Sequence, residues 1–357
     1  MARQYVTIKD VAQRAGVSAG TVSNVLNKKS HVDPAIRERV ENTIRLVGYR
    51  INMHARGMIK RRSFNAGIII PSLSDPFFPR FADSIELDIE ERGSNAIITS
   101  SRFDPRRERD LCELLMSKQV DGLIVTPCSR ENIGYFNDLI AQGVSVVQLG
   151  RYFEGIQSPI VRAANREAGR EAFSILHTYG HRRFIQLTGD PESSPDTERK
   201  TGFLERAREL GLTDSVLCVQ AIFNGEHRAY SVFRNAIAEK GDVTAVFATD
   251  DLTALGCLRV CRELNIDVPR ELSMVSVGGF YDPYSTIQVL STLAIDTAAM
   301  SSKAVEFLYR KIQNDEDSPV ETGGAIDAGF GAWTVPAEIE DVPVRFVPGE
   351  TISDARE

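Results

Sequence analysis

From Ala66 onward the chain alternates short β-branched runs with amphipathic stretches, and this alternation limits the fold more than any other feature of the sequence. Strand AGIII leads to a helix over about 79–92 and then to strand AIITS. A helix over about 106–118 leads to DGLIV, and one near 135–141 to SVVQL. A second series follows. It runs helix 167–179, RFIQL, helix 198–210, VLCVQ, helix 226–239, TAVFA, helix 252–264 and LSMVSV. Strands separated by helices need crossover connections, which give parallel sheets covered by helices on both faces. Two such series predict two α/β lobes, with a ligand between them at the carboxyl ends of the strands.

The 357 residues allow two or three compact units, and 42% hydrophobic with 25% charged residues is an ordinary globular composition. No apolar run approaches a bilayer span, and no charged-then-apolar leader precedes Tyr5, so the expected location is the cytoplasm. Cys112, Cys128 and Cys218 sit in apolar contexts. Cys257 and Cys261 are one helical turn apart, but no His or further Cys pair completes a metal set, so they read as buried small residues. No metal and no cofactor is expected. The net charge of −7 hides an asymmetry: residues 1–62 hold thirteen Lys/Arg against four Asp/Glu, a net of +9, and the remainder has a net of −16. A basic head on an acidic body suits a protein whose head meets phosphate.

That head contains TIKDVAQRAGVSAGTVSNVLN, residues 7–27. Ile8, Val11, Ala12 and Ala15 form one apolar stripe, and Gly16 stops the helix by taking a left-handed backbone. Ser18 is placed to cap a second helix whose Val22, Val25 and Leu26 face the first. Small residues at Ala12 and Ala15 permit a close crossing. An ordinary helical hairpin would share the periodicity, but the cap, the glycine, the spacing and the position agree on a helix-turn-helix, whose second helix lies in the DNA major groove. A third helix is expected over about 34–46, capped by Asp33, opened by Pro34 and ended by Gly48, with Ile36, Val40, Ile44 and Val47 inward.

A basic connector follows at 50–63, bearing Asn52, Ala55 and Arg56, and then the first core strand. The three-helix head, this connector and the alternating core resemble the lactose-repressor (LacI) family of transcriptional regulators. The resemblance implies a small all-α helix-turn-helix head (1–49), a hinge helix or linker (50–63) and an α/β two-lobed periplasmic-binding-protein-like core. Lobe 1 would comprise 64–164 plus 295–320, and lobe 2 165–294 plus 321–351, with crossings near 162–165, 291–295 and 320–324. In that family the hinge orders on DNA and inserts a leucine between base pairs. The matching position is Met58, still an apolar wedge. Ile51 stands where the family usually has proline, and Gly57 lowers helicity, so ordering this connector carries a cost.

The family's base-contacting positions fall on Ala19, Gly20 and Asn24. Ala19 offers apolar contact, Gly20 close approach, and Asn24 a pair of bonds to adenine. Ser18, Thr21, Ser23, Asn27 and Lys28 are read as phosphate contacts, and Thr7 joins the DNA-facing set. For an effector, the loop SLSDPFFPR offers Asp75, Phe77 and Phe78, although either ring alone is equally well a core residue. Arg199 in RKTGF matches the family's R-x-x-G-F, suited to a carboxylate, a phosphate or vicinal hydroxyls. Asp250 and Asp251 in ATDDLTALG match N-D-x-x-A-L-G, with Asp250 in place of the usual asparagine; one of the two is expected to cap the next helix. Asn165 and Phe223 complete the candidates, with Tyr281 at the position of the family's sugar-gripping aspartate. That departure leaves a glycoside, a sugar acid, another metabolite or no ligand open.

The resemblance implies a sequence-specific DNA-binding transcriptional regulator, a repressor controlled by a small carbohydrate-like effector between the lobes. It would act as a homodimer on a roughly palindromic operator. The alternative is a solute-binding receptor of the same core without DNA function. No Ser/His/Asp order, P-loop or metal spacing supports catalysis, so the chain is not expected to be an enzyme. The stretch 314–342, with the lone tryptophan Trp333, has no match in the family and reads as a mobile surface loop.

Overall fold

The computed structural model describes residues 6–26, 29, 31–49, 63–221, 226–238, 241–279, 289–317 and 338–355. The chain forms two compact units, Met1–Ser63 and Phe64–Glu357. In the first, α1 (Ile8–Ala15), α2 (Ala19–Leu26) and α3 (Pro34–Val47) enclose Val11, Ala12, Ala15, Val22, Val25 and Val40. The local signals act as expected. Gly16 takes φ 65°, and the Val17 N–H bonds Ala12 O at 3.0 Å. The Thr21 N–H donates to Ser18 Oγ at 3.0 Å. Asp33 Oδ1 accepts from the N–H groups of Ala35 and Ile36, at 2.9 and 3.2 Å. At Thr7 the structure adds a capping box: Thr7 Oγ1 accepts the Asp10 N–H while the Asp10 carboxylate accepts the Thr7 N–H at 2.8 Å.

In the second unit, lobe 1 runs β1 (Asn65–Ile70), α4 (Phe77–Glu91), β2 (Asn95–Ser100), α5 (Pro105–Ser117), β3 (Gly122–Val125), α6 (Ile133–Ala141), β4 (Ser145–Leu149) and β5 (Ile160–Ala163). Lobe 2 continues with α7 (Asn165–Thr178), β6 (Phe184–Thr188), α8 (Ser194–Glu209), β7 (Val216–Gln220), α9 (Glu226–Ala238), β8 (Ala245–Ala248), α10 (Asp251–Glu263), β9 (Ser273–Gly278) and β10 (Ser291–Ile295). The chain then returns to lobe 1 with α11 (Thr297–Asp317) and β11 (Ile339–Val342), and ends in lobe 2 with β12 (Val344–Val347). The sheet orders are β11-β5-β4-β3-β1-β2, all parallel, and β12-β10-β9-β8-β6-β7, parallel except for β12 against β10. Strands β3, β4, β8 and β9 are buried along their whole length, which is why they read as continuous apolar runs. Among the described residues no helix is long and apolar enough to cross a membrane.

The third crossing departs from expectation. It lies at Pro343, between β11 and β12, and not near 320–324. Val342 ends β11 beside β5, and Val344 begins β12 beside β10. A proline cannot donate to either ladder, so it fits the bend between two sheets. The short strands β5, β10 and β11 carried no alternation of their own. They are strands because the neighbouring sheet edges pair with them. Of the stretch 314–342 read as a surface loop, 314–317 continue α11 and 339–342 form β11, while 318–337, including Trp333, lie outside the described residues.

Candidate DNA-binding head and ligand cavity

Ser18, Ala19, Gly20, Thr21, Ser23 and Asn24 all sit on or just before α2. Ser18 and Gly20 are exposed, and Ala19 is half-buried against the head core. A Cβ built on Gly20 would meet nothing closer than Ser18 Oγ at 3.6 Å. Folding therefore does not require glycine there, and the bare position is a property of the exposed face. Ser18 Oγ also lies 2.9 Å from Thr21 Oγ1, so these two hydroxyls are partly engaged in holding the helix start. Thr7 Oγ1 donates to Asp10 Oδ2 at 2.7 Å within its cap. Asn27, Lys28, Asn52, Ala55, Arg56 and Met58 lie outside the described residues.

In the core, the carboxyl ends of the strands of both sheets open onto one cavity of about 460 Å³, within the roughly 300–1,000 Å³ usual for small-ligand sites. Asp75, Phe77, Phe78, Asn165, Arg199, Asp250 and Asp251 all line it. Phe223 and Tyr281 lie outside the described residues. Phe77 and Phe78 belong to the first turn of α4, which starts two residues earlier than expected because the Asp75 carboxylate accepts the Phe77 N–H at 3.0 Å. Phe77 meets Phe78 and Phe81 edge-on, with centroids 5.6 and 5.0 Å apart. Each ring is thus part of the packing and of the cavity wall at once.

Arg199 sits in the second turn of α8, since that helix begins at Ser194 and not near 198. It is only 6% exposed. Its Nε donates to Asn165 Oδ1 at 2.9 Å and its Nη1 to Thr249 O at 2.8 Å. Both acceptors are neutral, and among the described residues Arg199 forms no ion pair. Burial lowers its affinity for the proton, while Asp196, Asp250 and Asp251 act the other way. Backbone contact between two helices holds α8 here. A Cβ on Gly169 of α7 would lie 2.0 Å from Arg199 O, and one on Gly202 of α8 1.9 Å from Arg166 O. The glycine three residues after the arginine therefore sets how deep the arginine sits.

Asp250 is the residue that caps α10. Its Oδ1 accepts the Thr253 N–H at 2.8 Å and its Oδ2 the Thr253 hydroxyl at 3.1 Å. Burial, then the charge of Asp196, pushes its pKa up to about 6 against the pull of Thr253 and Arg199. Asp251 ties two strand ends together, with Oδ1 accepting from Ser276 Oγ at 2.5 Å and Thr292 Oγ1 at 2.9 Å. Burial also raises the pKa of Asp75, opposed by the Phe77 N–H and aided by Asp251.

The lobes meet around this cavity. Arg80 Nη1 of lobe 1 donates to Gly279 O of lobe 2 at 2.8 Å. Arg151 pairs with Asp190 at 3.5 Å. Behind Arg199, Glu198 Oε1 accepts from Tyr152 OH at 2.5 Å and Arg162 Nη1 at 2.6 Å, and its Oε2 accepts from Asn165 Nδ2 at 3.3 Å. Arg162 also pairs with Asp341, its register partner across β5 and β11. Two crossing strands are thereby linked to the amide that orients Arg199.

Sequence reasoning missed Phe81, Phe103, Arg151, Asp190 and Asp196, all of which line the cavity. A signal was present for three of them. Phe103, Arg151 and Asp190 follow within three residues of the ends of β2, β4 and β6, where an α/β sheet places its ligands. Arg102 and Phe103 both take positive φ, 57° and 58°, a conformation that sequence does not announce.

Residues 7–52 match the family model for bacterial regulatory proteins of the lacI family, and 173–323 match that for a periplasmic binding protein-like domain. The sucrose operon repressor of Streptococcus mutans is 29% identical over 316 residues, covering 87% of this chain and 94% of that protein. The transcriptional regulator GalS of Salmonella typhimurium is 28% identical, covering 84% and 88%. Among solved structures, the lac repressor dimer bound to operator and an anti-inducer superposes with a TM-score of 0.81 at 20% identity, over 98% of this chain and 100% of that one. A cellobiose complex of the regulator CelR gives 0.66 at 24% identity, over 97% and 99%. With its head and core both matched, in the order that the fold displays, this chain belongs to the LacI family of bacterial regulatory proteins.

Proposed function

We propose that this protein is a sequence-specific transcriptional repressor whose hold on DNA is controlled by a sugar-like effector in the interlobe cavity. The observation that carries the reading is the union, in one chain, of a capped helix-turn-helix in a segment of net charge +9 with a cavity holding a buried arginine that has no ion-pair partner among the described residues. The first provides for phosphate and groove binding, and the second calls for a ligand rich in hydrogen-bond acceptors. The relatives support the same division of labour, since their names join operon repression to sucrose and ribose. The alternative of a solute receptor without DNA function leaves the head unexplained. No catalytic role is assigned.

Two heads on a homodimer would read two half-sites of an operator, with Asn24 on adenine and Gly20 allowing close approach. The effector would bind both lobes at once, change the angle between them, and so shift a two-state dimer that DNA also biases. Such a regulator works beside the chromosome, in the cytoplasm. Salt-dependent binding to a promoter fragment tests the reading. Affinity should fall about 10³-fold or more between 50 and 200 mM salt while preference over random DNA persists. Asn24→Ala should lose about 1–3 kcal/mol of that preference. An absence of preference at every salt concentration rejects the proposal.

A further inference from the structure

We propose, resting on the effector reading above, that the cavity takes an uncharged polyhydroxylated ligand and turns away phosphorylated or carboxylated ones, because carboxylates outnumber arginines in its described lining and two of its three helix ends already hold the protein's own aspartates. Helices α4, α8 and α10 all begin at the cavity. A helix N-terminus with free N–H groups is a ready anion site. Two of the three hold one of the protein's own carboxylates, while α8 has no side-chain cap. Asp75 takes the Phe77 N–H at the start of α4, and Asp250 takes the Thr253 N–H at the start of α10. Asp196 stands in the first turn of α8, where its carboxylate accepts the Asp190 N–H at 3.1 Å and the Thr249 hydroxyl at 2.8 Å. A phosphate would have to displace these carboxylates or sit against them.

The charges around the cavity point the same way. Its described lining holds five aspartates, Asp75, Asp190, Asp196, Asp250 and Asp251, against two arginines. Arg151 is paired with Asp190. Arg199 therefore stands alone among four carboxylates. Like charges raise the proton affinity of a buried carboxylate, and Asp196 does this to Asp250. An anionic ligand would add to that repulsion in a site that water screens poorly. A polyol meets none of it. Its hydroxyls donate to carboxylate oxygens that have lone pairs to spare, its oxygens accept from Arg199, and its C–H face lies on Phe77 and Phe78.

The test is calorimetric titration of the full-length chain with matched sets: cellobiose and its 6-phosphate, ribose and ribose 5-phosphate, and galactose and galacturonate. In every set that binds, the neutral member should bind about tenfold tighter or more. Asp196→Asn and Asp250→Asn should each narrow that gap by strengthening the phosphorylated member. Tighter binding of any phosphorylated or carboxylated member overturns the proposal. If no set binds, the operator-bound chain is treated with a metabolite extract divided on an anion exchanger. Release by the unretained fraction supports the proposal, and release by the retained fraction alone overturns it. Release by neither overturns the effector reading itself.

Discussion

The cavity wall supplied by lobe 1 carries four phenylalanines, Phe77, Phe78, Phe81 and Phe103, and one aspartate, Asp75. The facing wall from lobe 2 carries Asp190, Asp196, Asp250, Asp251 and Arg199. The aromatic wall is held by ring-on-ring packing, whose cost of disruption is spread over several contacts. The polar wall is held by single hydrogen bonds between named atoms, each costly to lose once buried. A ligand that satisfies both walls must bring an apolar face and a hydroxylated rim together. The division also separates roles: the rings supply affinity that tolerates varied ligands, and the lobe 2 groups supply the choice among them.

The largest effect should come from the support of the polar wall. Gly202→Ala places a methyl group where Arg166 O now sits, so α7 and α8 must separate. We expect a loss of about 2–3 kcal/mol in urea unfolding, together with a weakened ligand response. A near-neutral result would mean that the helices do not fix Arg199. Next, Arg199→Met should reduce ligand affinity by about 10- to 100-fold, since bonds to a charged group are worth about 1.5–3 kcal/mol. Phe78→Ala on the opposite wall should cost less in the same titration, and a larger loss there would reverse the assignment of specificity to lobe 2.

Asp250→Asn should act on stability. The folded pKa of Asp250 is about 6, above its ordinary 3.8, so the folded chain binds this proton more tightly than the unfolded one. The group's contribution is full below about pH 4 and declines as pH rises to about 6. Asparagine keeps a capping oxygen without the charge, so the variant should be about 1–2 kcal/mol more stable at pH 7. Its pH profile between 4 and 6 should be flatter. An unchanged profile would show that Asp250 is not held in a repulsive field. The smallest effect belongs to Arg270→Met, because its exposed pair with Asp267 at 3.7 Å is worth less than about 1 kcal/mol. Its thermal midpoint should hardly move.

The head was legible almost residue by residue because its signals are local. Gly16, Ser18, Asp33, Pro34 and Gly48 each act on backbone groups within a few positions, and the structure places each as the sequence implied. Thr7 was the exception, since a capping box needs its reciprocal partner Asp10 to be considered with it. In the core, the elements long enough to show a period were found, while β5, β10 and β11 were not. The site divided along the same line. Arg199, Asp250 and Asp251 stood in local motifs. Asp196 and Arg151 stood in none: the packing of lobe 2 brings Asp196 to Thr249, and the approach of the two lobes brings Arg151 to Asp190.

By itself the sequence determined the helix-turn-helix, the charged head on an acidic body, the alternating core and the identity of the arginine that reaches the cavity. Caps, periods and charge are carried by neighbouring residues, so they survive without knowledge of the fold. Tertiary structure alone decided that the chain crosses between sheets for the last time at Pro343, and that Gly169 and Gly202 let two helices touch. It also decided that Asp75, Asp196 and Asp250, from separate segments, gather at the starts of three helices around one arginine. Those facts depend on distances between residues tens of positions apart, and packing and electrostatics act through space whatever the separation along the chain.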